Sequence, residues 1–193
     1  MKGFTLLETV VALTVITAAV VGPVSLITRG LYSFSFSKNK VIAANLAQEG
    51  IELIRLVREN NVACDAVNGP AVWQWNKDPD GGLIGHTTVG VDGESFIGIR
   101  CGDSTIQTPR LSSSCSSPLR FETDQLLENY GTYGYRSGVE TMFFRCVEIA
   151  VPPDSPDGDI PPSAQMDVIS TVTWNERGTD RSVTLRERLY DWR

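Results

Sequence analysis

The sequence predicts an α+β fold. A long N-terminal α-helix, apolar in its first half and amphipathic in its second, is followed by a head that ends in an antiparallel β-sheet. Three observations predict it. A nearly uncharged run covers residues 4–28, and an amphipathic period covers residues 38–60. Near the end, two alternating runs, 166–174 and 181–189, flank a segment rich in turn formers. At 193 residues the chain has room for one core plus a leading segment.

The first element is the apolar run. Within residues 4–28 the single charged side chain is Glu8, among Val, Ala, Leu, Ile, Thr and small residues. Twenty-five residues rising about 1.5 Å each make a helix of about 37 Å, enough to cross a hydrocarbon core of about 30 Å. A cleaved secretory signal has a shorter apolar core and a longer charged start than Met1-Lys2-Gly3. A plain signal anchor fits the length and leaves Glu8 unexplained, because a carboxylate in an apolar helix is costly unless paired. Lys2 precedes the run and Arg29 follows it, so basic residues do not fix its orientation. Gly22 and Pro23 predict a kink or melted turn, since proline removes a backbone hydrogen bond.

The start Lys2-Gly3-Phe4-Thr5-Leu6-Leu7-Glu8 resembles the class III signal of type IV prepilins and type II secretion pseudopilins. The resemblance implies a pilin-like fold and cleavage by a prepilin peptidase between Gly3 and Phe4, leaving residues 1–3 as leader. It also implies N-methylation of the new Phe4 amine, and pairing of Glu8 with the N-terminal amine of a neighbouring subunit. Physically, an ammonium in apolar surroundings needs an anion and Glu8 needs a cation. Many members carry their proline about two residues further along than Pro23, which puts the register of any kink in question. The implied partners are other pilin or pseudopilin subunits, the peptidase, the inner membrane and the pilus assembly platform. The implied location is the cytoplasmic membrane, crossed once with the head outside the cytoplasm, and then a pilus or pseudopilus.

The second element continues the helix over residues 29–61. After a Ser/Phe stretch at 33–37, Ala47, Ile51, Ile54 and Arg58 form one stripe, with Leu46, Gly50, Leu53 and Val57 beside it. Gln48, Glu49, Glu52, Arg55 and Glu59 take the other side, with Glu52–Arg55 and Arg55–Glu59 at pairing distance. Asn60-Asn61 is the expected stop. The apolar stripe requires a cover, which the head must supply.

The third part, residues 62–193, is the expected β-rich head. Asn68-Gly69-Pro70, Asp78-Pro79-Asp80-Gly81-Gly82 and Asp92-Gly93 mark reversals. Strand-like runs are expected at 71–75, 95–101, 141–151, 166–174 and 181–189, with Val168, Ser170, Val172 and Trp174 on one face. Glu176-Arg177-Gly178-Thr179-Asp180 is the expected hairpin loop. The chain's ending also resembles the C-terminal hairpin of many minor pilins and pseudopilins. Residues 106–117 and 151–162 are expected to be exposed loops.

Cys64, Cys101, Cys115 and Cys146 all follow the apolar run and form no CxxC pair, which argues against zinc. In an exported head they are disulfide candidates, with three connectivities open. A net charge of −6 lacks the basic footprint of a nucleic-acid binder. No catalytic set emerges, and neither cofactor nor metal is expected. Ser112, Ser113, Ser114, Ser116 and Ser117 lie in a serine-rich stretch without a GxSxG elbow, and His86 is the single histidine. Asp154, Asp157 and Asp159 alternate like calcium ligands. Counted from Asp154, however, positions six and twelve are Asp159 and Gln165, where an EF-hand needs Gly and Glu. Trp73 and Trp75 share one face of a short strand and suit packing or a stacked sugar or base.

The expectation is therefore a minor pilin-like structural subunit and not an enzyme. The alternatives are a type II secretion pseudopilin, or a tethered adhesin or DNA-binding module whose ligand the sequence leaves open.

Overall fold

The computed structural model describes residues 3, 5–68, 90–92, 110–112, 115–127, 129–135, 137–150, 152, 160–161 and 164–191, with residues 60, 64–68, 90–92 and 110–112 described by backbone alone. Among the described residues one helix, α1 (Leu6–Asn68), precedes eight strands. These are β1 (Gly90–Asp92), β2 (Arg110–Ser112), β3 (Arg120–Phe121), β4 (Tyr133–Gly134), β5 (Val139–Glu140), β6 (Phe143–Ala150), β7 (Gln165–Glu176) and β8 (Thr179–Tyr190). The layout is α+β: a long N-terminal helix, apolar over its first part, and antiparallel sheets after it. By contacts the chain divides into two units, Met1–Val41 and Ile42–Arg193, and α1 contributes to both.

In the second unit, α1 buries the stripes that its period marks out. Ala47 and Ile54 are inaccessible, Leu46, Ile51 and Val57 nearly so, and Arg58 is buried with them. The exposed or half-exposed side carries Gln48, Glu49, Glu52, Arg55 and Glu59. Arg55 pairs with Glu52 at 2.8 Å and with Glu187 of β8 at 2.5 Å. The helix does not stop at Asn60-Asn61 but runs on to Asn68. Asn61 is itself buried, so tertiary packing overrides its weak helix propensity, and Val62 and Ala63 carry the helix onward.

The cover is the sheet β6-β7-β8, antiparallel throughout. Val168, Ser170, Val172 and Trp174 of β7 are all buried, as their shared face requires. Two clusters make up the core. Ile51, Ile54 and Val57 meet Val147, Ile149, Met166, Val168 and Leu189 in one. Ala43, Leu46 and Ala47 join Leu119, Phe143, Val172 and Trp174 in the other, with the Phe143 and Trp174 rings 6.0 Å apart.

The β7–β8 connection is tighter than the expected five-residue loop. Glu176 pairs with Thr179, so only Arg177 and Gly178 turn, both with positive φ (54° and 80°). That is the type I′ geometry whose twist suits a hairpin, and Gly178 takes its positive φ without strain. The Asn175 side chain closes it, accepting from the Gly178 N–H at 2.9 Å and donating to Asp180 at 2.7 Å.

Two further small sheets, β1-β2 and β4-β3-β5, were not expected, and β2 lies inside the loop expected at 106–117. Their strands have two or three residues each, too short to show a period. The expected strands at 71–75 and 95–101 lie outside the described residues.

Candidate functional site

The first turn of α1 is built by Thr5 and Glu8. Thr5 precedes the helix, and its Oγ1 accepts the Glu8 backbone N–H at 3.3 Å, while Thr9 N–H reaches the Thr5 carbonyl at 3.2 Å. This is one half of a capping box, with Thr5 as N-cap and Glu8 three residues on. Glu8 also stands at the positive end of the helix dipole, worth about 0.3–1 kcal/mol to a carboxylate. In the structure it is in the first turn, and the Thr-x-x-Glu spacing that marks the cap was present in the sequence.

From Leu6 onward, Glu8 aside, the helix presents an apolar surface on every side. Leu6 (83% exposed), Leu13, Ile16, Val21, Leu26 and Ile27 all stay accessible, and none of the most apolar stretch is buried within the chain. A helix that is apolar all round belongs in lipid or in the core of a larger assembly. Its threonine hydroxyls find partners within the helix. Hydroxyls of Thr9, Thr14, Thr17 and Thr28 donate to carbonyls three or four residues back, at 2.8–3.0 Å. Internal satisfaction is the condition for residence in a medium without water. By length and composition this helix suffices to cross a membrane.

The helix is continuous through Gly22 and Pro23, with Pro23 inside it. A Cβ added at Gly22 or Gly30 would meet nothing within 4 Å, so neither glycine is required by packing among the described residues. Gly3 is exposed and outside the helix, and Phe4 lies outside the described residues.

The second unit holds two polar constructions that the sequence reading passed over. Arg145 of β6 is fully buried and reaches Glu49 at 3.1 Å and the Leu46 carbonyl at 3.3 Å, while its guanidinium stands 5.9 Å from the Tyr135 ring centre. Tyr135 donates its hydroxyl to the Arg145 carbonyl at 3.2 Å. Asp167 of β7, also buried, accepts from Arg188 at 2.7 Å and 3.0 Å and from Arg186. The Arg188 hydrogen bonds, joined by Arg186, hold its carboxyl below the usual range against the opposing effect of burial. Both constructions lock strands to each other or to α1.

Cys115 and Cys146 are joined in a disulfide that ties the segment before β3 to β6. Of the other two candidates, Cys101 and the Cys64 side chain lie outside the described residues. His86, Trp73, Trp75, Asp154, Asp157 and Asp159 do too. Among the described residues no three His, Cys, Asp or Glu side chains gather as metal ligands. A pocket of about 180 Å³ lined by Arg58, Glu59, Val62 and Ala63 is smaller than ligand sites usually are.

Comparison with known proteins gives no match to a family model, a curated protein or a solved structure.

Proposed function

We propose that this chain is a minor pilin-like structural subunit of a type IV pilus or a related filament. It is made as a precursor and cut by a prepilin peptidase between Gly3 and Phe4. The observation that carries the reading is the conjunction at the N-terminus: a Gly-Phe junction, then Glu8 in the first turn of a helix whose apolar surface has no cover among the described residues.

On this reading the protein assembles and catalyses nothing. Residues 4–28 are stored in the inner membrane and transferred, through the assembly platform, into a filament core made by equivalent helices. The N-methylated Phe4 amine of one subunit meets Glu8 of a neighbour and fixes the register. The helix–sheet packing from Ala43 onward holds the head to its helix during that transfer, with several side chains fully buried at about 1.5–3 kcal/mol each. Gly22 and Gly30, which pack against nothing among the described residues, permit close approach of a neighbouring helix.

Mass spectrometry of the N-terminus of the protein isolated from its own cells tests the proposal. A chain beginning at N-methylated Phe4 is expected. A chain retaining Met1-Lys2-Gly3 refutes it and leaves a plain membrane anchor.

A further inference from the structure

We propose that the stretch of α1 from Arg29 to Lys40 is a collar for anionic lipid headgroups, at the membrane face where the apolar span ends. The inference rests on the reading of residues 6–28 as a membrane span. Between Glu8 and Glu49 the only charged side chains are Arg29, Lys38 and Lys40, all cationic. The rest of the chain has the opposite balance: residues 49–193 hold 22 acids and 13 bases, a net of −9. All three cations are exposed, and so are Leu31 (64%), Phe34 (70%) and Val41 (59%) between and beside them.

The angular arrangement favours a surrounding medium over a one-sided partner. At about 100° per residue, Arg29 and Lys40 project within about 20° of each other, while Lys38 lies on the opposite side with Leu31, Phe34 and Val41 around it. Cations therefore occupy both sides of the helix. A folded partner covers one side, whereas a headgroup layer encircles it.

The axial order matches the layers of a bilayer. Arg29 directly follows the apolar run, Leu31 and Phe34 stand about 3 and 7 Å further along, and Lys38 and Lys40 about 14 and 16 Å. The headgroup region is about 5–7 Å deep on each face, and aromatic and aliphatic side chains beside an arginine suit it. The lysines stand above it, with long side chains that reach back and charges within about one Debye length of the surface.

The test uses the full chain in a nonionic detergent, mixed with vesicles of phosphatidylcholine alone or with about a third phosphatidylglycerol, and reads the vesicle-bound fraction after flotation. Each cation near an anionic surface is worth about fivefold, so phosphatidylglycerol raises the partition coefficient on the order of a hundredfold at low salt. Repulsion of the acidic residues 49–193 subtracts from that figure, and about 1 M salt removes it. The triple variant Arg29→Gln, Lys38→Gln, Lys40→Gln floats with phosphatidylcholine like the wild type and loses the preference. Equal partition of the wild type, or a preference that survives in the triple variant, overturns the collar. Failure to float with either vesicle overturns the membrane span and the collar with it. Salt-sensitive self-association that the triple variant lacks, without any lipid preference, overturns the lipid assignment and gives the collar to a second copy of this acidic chain.

Discussion

At Gly50 α1 comes close to the sheet, and its substitution gives a test of that packing with a built-in rescue. A Cβ placed on Gly50 would sit 2.6 Å from the Ser170 hydroxyl oxygen, 3.1 Å from a Val147 methyl and 3.3 Å from the Arg145 Cδ. The first distance is too short to keep, and the other two need a give of a few tenths of an ångström. Gly50→Ala gains about 1 kcal/mol of helix propensity and incurs about 1–3 kcal/mol of overpacking, for a net loss of up to about 2 kcal/mol. Ser170 Oγ is buried without a hydrogen-bond partner among the described residues, so Ser170→Ala removes a desolvated hydroxyl and is neutral or stabilising. The double variant relieves the shortest contact and keeps the propensity gain. It is expected to be at least as stable as the wild type, with a coupling of about 1–2 kcal/mol between the sites. Guanidinium unfolding of the full chain in detergent, followed by tryptophan fluorescence with buried Trp174 as a reporter, measures all four proteins. Additive effects within about 0.5 kcal/mol would refute the claim that these atoms set the helix–sheet distance.

Two further outcomes follow from named contacts. The Asp167 carboxyl is held below its unfolded value, so its contribution is full above about pH 4 and is lost as pH falls further, through the folded value. Asp167→Asn should cost about 2 kcal/mol at pH 7 and flatten the fall in stability below about pH 4, read as unfolding midpoints; an unchanged acid limb refutes the assignment. Glu8→Gln preserves a side chain suited to the helix start but removes the charge, so it should fold like the wild type. It should also enter filaments on the order of tenfold less, as expected for losing more than about 1.4 kcal/mol of pairing; incorporation at the wild-type level leaves Glu8 only its place at the helix start.

Much of this fold was legible because burial imposes a period. The α1 stripe from Leu46 to Arg58 and the β7 face from Val168 to Trp174 follow from spacing alone, since each must hide one side. The same alternation could have found Arg145. In β6 it shares a face with Phe143, Val147 and Ile149, and only its charge argued against an inward position that Glu49 and the Leu46 carbonyl make tolerable. Asp167 was not legible: it is on the face away from Val168, and it is buried because two arginines from β8 close over it. The two-residue strands of β4-β3-β5 carry no periodic signal, and the end of α1 was misplaced because an Asn-Asn pair is a weak stop once Asn61 is packed. At the candidate site, the apolar surface was legible in full, while the cap at Thr5 was overlooked beside the more conspicuous Glu8.

That cap sharpens what Glu8 is asked to do on the proposed reading. A charged side chain at mid-membrane costs about 2.5–3.5 kcal/mol on insertion scales, and the helix dipole returns at most about 1 kcal/mol of it. In the first turn, however, Glu8 is near the end of the span, where it can reach the headgroup layer and its cost is small. Storage in the membrane therefore needs no partner for Glu8. The need arises on transfer into a filament core, where neighbouring apolar helices replace the headgroups and the residual cost of about 2 kcal/mol returns unless a cation is at hand. The ammonium of a trimmed Phe4 is the cation that the proposed cut would create at the same level of the helix. A carboxylate that is inexpensive in lipid and expensive in an unpaired filament selects for insertion beside a processed subunit, and it does so through the difference between the two environments.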